Sequence, residues 1–209
     1  MVADSTVRIV GPSCGRTQEG SGFAVADDIV ATNAHVVATL DEIHVRTLDG
    51  RDLPGEVVAL DLVDDLALVR VPGGGFTPLE LAPDEEVPDG TTGALIGWED
   101  DATPEPVPFR IDRPVTVRIE KVLDTERIER PSWLVAADVE SGDSGAALVD
   151  ARGRVVGVAY ATTRRNAGVA YATRASVLAR LLASSDTTVP VDVPGCAKAV
   201  EAPGDTSGY

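Results

Sequence analysis

Short apolar runs, rich in valine and cut by glycine, proline and aspartate, fill this 209-residue chain. Such runs read as strands rather than helices. Six fall in the first third, at residues 6–10, 22–26, 29–32, 42–48, 52–60 and 66–71. Gly11-Pro12, Asp27-Asp28 and Pro72-Gly73-Gly74-Gly75 end three of them, and Asp49-Gly50 is a hairpin signal. A second set follows at 93–98, 115–119, 133–136, 146–149, 155–160 and 168–172, with a turn at 150–153. The expected fold is all-β, two antiparallel six-stranded barrels. Residues 1–82 would form the first, 83–92 a linker and 93–196 the second. Residues 99–108, acidic and proline-rich, would be a loop. One helix is expected at about 174–184, capped by Thr173, because Val177, Leu178, Leu181 and Leu182 recur at helical spacing. Residues 197–209 read as a flexible tail.

The chain has 34 acidic and 18 basic residues, a formal charge of −16. That balance argues against partnership with nucleic acid or anionic lipid. No apolar run reaches the 18 residues of a membrane span. The opening Met1-Val2-Ala3-Asp4 has neither a basic nor an apolar leader segment, so the reading is a cytosolic protein or an excised soluble domain. Only Lys121 and Lys198 are lysine, a bias expected of a GC-rich genome. The two histidines and two distant cysteines form no ligand cluster, so no metal or cofactor is implied. By spacing alone, Cys14 and Cys196 read equally as a pair or as two unrelated buried thiols.

The chemistry is concentrated in two motifs. Ser141-Gly142-Asp143-Ser144-Gly145-Ala146 sets a serine between glycines, which allow a tight turn and leave backbone amides free. A serine needs a base to become a nucleophile, and the base needs an orienting carboxylate. Thr32-Asn33-Ala34-His35-Val36-Val37 supplies the histidine. Between the motifs, Asp61, Asp64 and Asp65 lie close together as candidates for the acid. The order His, Asp, Ser is one of the known triad orders. The blander alternatives are a serine in a glycine turn and a buried structural histidine. His44, inside an alternating strand, is expected to be structural or exposed.

From residue 7 to residue 196 the chain resembles the trypsin/chymotrypsin-type serine proteases, chiefly their bacterial HtrA-related branch. Within that branch it is most similar to the membrane-anchored acid-resistance proteases of high-GC bacteria. The resemblance implies the chymotrypsin-like double barrel with its C-terminal helix, and endopeptidase activity through an acyl-enzyme. Asp65, directly before Leu66-Ala67-Leu68, matches the family's acid. It implies an oxyanion hole from the amides of Gly142 and Ser144, with Asp143 holding the loop. Asp138 matches the acid of the primary pocket, and Ala159, Tyr160 and Ala161 match the strand along which substrate lies. It also implies a Cys14–Cys196 disulfide, an extracytoplasmic setting, a peptide or protein substrate and, for the full-length protein, a membrane anchor. Where the family continues Gly-Gly-Pro, this chain has Gly145-Ala146-Ala147. Arg8-Ile9-Val10-Gly11 mimics a zymogen cleavage site, yet Ile9 is needed as first-strand residue. The alternative of another class is a catalytically weak, peptide-binding pseudoprotease.

Overall fold

The computed structural model describes residues 2–98, 103–162 and 168–196. Six strands close the first barrel: β1 (Thr6–Ser13), β2 (Arg16–Ala24), β3 (Ile29–Thr32), β4 (Ile43–Thr47), β5 (Asp52–Asp61) and β6 (Leu66–Arg70). Helix α1 (Ala34–Val37) follows β3. Six more close the second: β7 (Thr92–Ile96), β8 (Pro106–Glu120), β9 (Arg127–Ala136), β10 (Ala147–Asp150), β11 (Val155–Thr162) and β12 (Val169–Arg174). Helix α2 (Ala175–Ser184) ends the described elements. The two-barrel, all-β expectation is met. Both barrels close in the same order, β1-β2-β3-β6-β5-β4 and its counterpart β7-β8-β9-β12-β11-β10, with every neighbouring pair antiparallel.

The core lies in three places. Val7, Ile9, Val30, Val45 and Val69 fill the first barrel, and Leu95, Phe109, Ile111, Leu148 and Val156 the second. Phe23, Ala31, Leu66 and Leu68 of the first barrel meet Ala147, Val149 and Val158 of the second in a seam that α2 covers with Val177 and Leu178. Strand side chains alternate in direction. In β6, Ala67 and Val69 therefore enter their own barrel while Leu66 and Leu68 enter the seam. Burial on both faces is why β3, β6 and β10 read as unbroken apolar runs.

Several boundaries differ from expectation. β1 runs on through Gly11-Pro12 to Ser13. Its pairing with β4 stops at Val10, so Pro12 has one open edge, where a missing donor breaks no ladder. β2 starts six residues earlier than its apolar run, because Arg16 to Glu19 form a partly solvated hairpin end. Residues 106–108 belong to β8 rather than to a loop; they pair with β7, while β9 joins only from Arg110. Thr173 is not a cap: it lies on β12 and its hydroxyl donates to the Asp64 carbonyl at 3.2 Å. Arg174 occupies the N-cap position in extended conformation, without a side-chain cap bond. The expected tail at 197–209 lies outside the described residues, as do 99–102 of the expected loop.

Cys14 and Gly15 form the two-residue turn between β1 and β2, both at positive φ (50° and 80°), as a type I′ hairpin requires. Cys14 is disulfide-bonded to Cys196, with Cα atoms 5.3 Å apart. The chain after α2 returns along the first barrel to reach it. Val191 donates its amide to the Val57 carbonyl, Gly195 to that of Ala38, and Val193 packs on the first core. Ile9, fully buried and paired on both sides, is the interior first-strand residue expected.

Candidate active site

The site forms where the two barrels meet. β3 ends at Thr32 and the chain turns into α1, which carries His35. The acid comes from the turn between β5 and β6. There the Asp61 carboxylate accepts the amides of Val63 and Asp64, both at 2.9 Å, and shapes the bend. Asp65 follows at φ 56°, a left-handed conformation that aspartate tolerates better than most residues. Asn33 ties this turn to the histidine segment, its side-chain amide donating to the Asp65 carbonyl at 2.8 Å.

Of the three acids, Asp65 is the one that meets His35. Its Oδ1 accepts the His35 backbone amide at 2.9 Å, an otherwise orphaned donor in the first turn of α1. Its Oδ2 is 2.8 Å from His35 Nδ1. The carboxylate therefore holds both the backbone and the ring of the histidine, leaving Nε2 as the ring nitrogen for a substrate-side proton. Asp65 is 3% exposed, whereas the His35 side chain is 35% exposed. Burial pushes the imidazole down, but the Asp65 charge and hydrogen bond carry it above its ordinary 6.5, with Arg130 pulling partly back. Asp64 is different: burial, then Asp61, raise its carboxyl.

Ser144 sits on a loop gripped by the first barrel. Ser21, on β2, donates its amide to the Ser144 carbonyl and its hydroxyl to the Gly142 carbonyl, each at 2.8 Å. The same hydroxyl accepts the Trp98 amide at 2.7 Å, and Thr32 Oγ1 donates to the Ser21 carbonyl at 2.7 Å. Gly145 (φ 88°) must be glycine: a Cβ there would lie 2.1 Å from the Ser21 carbonyl oxygen. Asp143 is buried, and its Oδ2 accepts the Glu140 amide at 2.9 Å, which holds the loop. The amides of Asp143, Gly145 and Ala146 are bonded to carbonyls. Those of Gly142 and Ser144 donate to no group among the described residues, so they remain open to an oxyanion. Ser144 Oγ and His35 make no hydrogen bond with each other; such contacts often tighten only with substrate. Ala146 is not at positive φ, and its buried methyl lies beside Gly97.

The remaining expected site residues are spread out. Asp138 is exposed on the loop after β9, with no hydrogen bond or ion pair among the described residues. Ala159 has both backbone groups engaged, its amide with the Ala146 carbonyl and its carbonyl with the Gly145 amide. Beyond it, Ala161 and Thr162 pair with β12 only, leaving the other edge without a strand among the described residues. Tyr160 lies at a bulge in β11, 6% exposed, its ring over Arg130 and its hydroxyl 2.9 Å from Ser132 Oγ. His44 is half-exposed and bonded to Asp52, as expected of it.

Sequence reasoning missed Ser21 and Arg130. Ser21 did carry a signal, a serine between Gly20 and Gly22. Cβ atoms at those glycines would come within 2.7 Å of Val36 and 2.8 Å of Val30. Arg130, between Glu129 and Pro131, carried none.

A family model described as "Trypsin-like peptidase domain" matches residues 20–158. Serine protease Rv3671c of Mycobacterium tuberculosis is 31% identical over 191 residues, 91% of this chain and 48% of that protein. A "Probable periplasmic serine endoprotease DegP-like" of Halomonas elongata is 32% identical over 157 residues, 73% of this chain and 31% of its own length. The crystal structure of Rv3671c in its active form superposes with a TM-score of 0.85 at 30% identity, over 93% of this chain and 86% of that one. The chain thus spans about half the length, or less, of the curated relatives it matches.

Proposed function

The chain belongs to the trypsin-like peptidases, HtrA-type enzymes among its relatives, and from that premise we propose that it is a serine endopeptidase working through an acyl-enzyme. His35 takes the proton of Ser144 as the hydroxyl attacks the peptide carbonyl. The amides of Gly142 and Ser144 receive the oxyanion. The resulting imidazolium, held by Asp65, then protonates the leaving amine, and water attacks the ester in a second round. The observation that carries this reading is the double grip of Asp65 on His35, beside a serine loop whose two relevant amides are unspent. No metal or cofactor enters these steps.

An extended substrate would add as a strand to the open edge of β11 at residues 160–162. Asp138, exposed on the segment between β9 and Ser144, would favour an arginine or lysine side chain. The setting is extracytoplasmic, in stress or acid-resistance proteolysis. A formed Cys14–Cys196 bridge supports this, since disulfides persist in oxidising compartments, and one relative is named as periplasmic.

The test is labelling with a fluorophosphonate probe together with cleavage of Arg- and Leu-containing peptides. Labelling of the protein, lost in Ser144→Ala and His35→Ala, is expected, with the Arg peptide cleaved faster. Absent labelling with peptide binding intact would favour the pseudoprotease reading, and equal rates on both peptides would remove Asp138 from the pocket.

A further inference from the structure

The largest fully buried side chain among the described residues is a cation. Arg130, on β9, is 1% exposed. A buried charge is costly unless partnered, so its partners reveal its role. Its Nε donates to the Val63 carbonyl at 2.9 Å, in the turn that carries the acid. Its Nη1 stands 3.6 Å from Asp65 Oδ2. The Tyr160 ring covers it, with the guanidinium carbon 4.7 Å from the centroid, and Ser132 fixes that ring through its hydroxyl. Its Nη2 is buried and makes no hydrogen bond. The guanidinium is thus held in place by stacking and one carbonyl, with charge left over for the nearest anion.

That anion is the oxygen His35 uses. Asp65 Oδ2 is shared by the imidazole, 2.8 Å away, and by Arg130 Nη1, 3.6 Å away. While His35 is neutral, Arg130 balances the carboxylate. Once His35 takes a proton, two cations share one anion. We propose that Arg130 is a positioning residue: it fixes Asp65 from behind as a charged acceptor and sets how far into acid His35 stays available as a base. This rests on the peptidase reading above. Asp65 and Arg130 are the charged groups that act on His35, and the Arg130 charge opposes protonation of the ring. Around Arg130 itself stand Asp64 and Asp65 from the β5–β6 turn and Tyr160 from β11; Asp64 in turn faces Asp61 and, from α2, Arg180.

Titration of the His35 imidazole by NMR tests this directly, in a Ser144→Ala, His44→Gln background where one histidine reports. Arg130→Gln, neutral but still able to donate to Val63, should raise the His35 midpoint by about one pH unit. Arg130→Lys, which keeps the charge, should leave it within a few tenths. With Ser144 present, the acid limb of kcat/KM should move in parallel. An unmoved midpoint in Arg130→Gln, or an equal rise in Arg130→Lys, overturns the inference. Should Arg130→Gln fail to fold, Arg130→Met is the second neutral variant under the same criteria. A protein inert to the fluorophosphonate probe would defeat the peptidase reading instead, while the titration would still report on Arg130.

Discussion

The hydroxyl of Ser21, in the first barrel, donates to the carbonyl of Gly142, in the second, at 2.8 Å. Ser21 thereby joins the Ser144 loop to the barrel that carries His35. Thr32 extends the link, since its hydroxyl reaches the Ser21 carbonyl from the strand that leads to His35. The proposed nucleophile and base lie 109 positions apart in sequence (144 − 35). A short polar chain, Thr32 to Ser21 to the Gly142–Ser144 backbone, sets their spacing.

Ser21→Ala should therefore damage both stability and rate. It removes the acceptor of the buried Trp98 amide and the donor to Gly142. An orphaned buried group typically costs about 1–3 kcal/mol. A lower melting temperature, together with a kcat/KM reduced on the order of tenfold, is expected from thermal unfolding and peptide kinetics. Wild-type values in both would mean that the hydroxyl positions nothing.

Asp65→Asn and Asp64→Asn separate the neighbouring acids. The first swaps the acceptor for an amide that can enforce the wrong imidazole tautomer, and a loss of about 10⁴ in kcat is the known scale of that defect. It also leaves Arg130 buried without its counter-charge, which typically destabilises by about 3–5 kcal/mol. Asp64→Asn should stay within a few-fold of wild type. Reversed severities would transfer the role to Asp64.

The pH dependence follows from the direction of the His35 shift. Burial lowers its basicity, Asp65 more than restores it, and the net value lies above 6.5. In the proposed mechanism the free base is the active form, so kcat/KM should fall as pH drops through a midpoint above 6.5. Stability runs the other way. The native state favours the imidazolium, so this contribution is full below about 6.5 and is lost as pH rises through the higher native value. A kinetic midpoint at or below 6.5 would contradict the arrangement.

Reduction of Cys14–Cys196 should lower the melting temperature without erasing the site. The bridge spans 182 positions and closes the C-terminal return onto the β1–β2 turn. Constraining so long a loop is worth about 4–5 kcal/mol in the chain-entropy picture. Faster proteolysis near both termini in reductant is expected, with fluorophosphonate labelling of the surviving fold retained. An unchanged melting temperature after confirmed reduction would assign the bridge no stabilising role.

The sequence was most legible where burial was greatest. β3 matches its apolar run residue for residue, and β6 and β10 within one or two, because both faces of these strands are covered and no polar alternation interrupts them. It was least legible where one edge or face meets water. The polar start of β2 carries no apolar pattern and is held as a strand by its ladder, while at the start of β8 the alternation of Val107, Phe109 and Ile111 is obscured by Pro106 and Pro108.

By itself the sequence determined the chemistry on offer: the serine of a Gly-Asp-Ser-Gly loop, a histidine after a buried strand, and three closely spaced acids. Which groups meet was decided by the tertiary structure. Asp65, and not Asp64, faces His35 because the Asp61-shaped turn and the Asn33 bond set its direction. Ser21 and Arg130 acquire their roles from contacts with residues 121, 123 and 65 positions away in sequence (142 − 21, 144 − 21 and 130 − 65). Local pattern records what a residue's own strand buries. It holds no trace of a hydrogen bond or a charge that arrives from the other barrel.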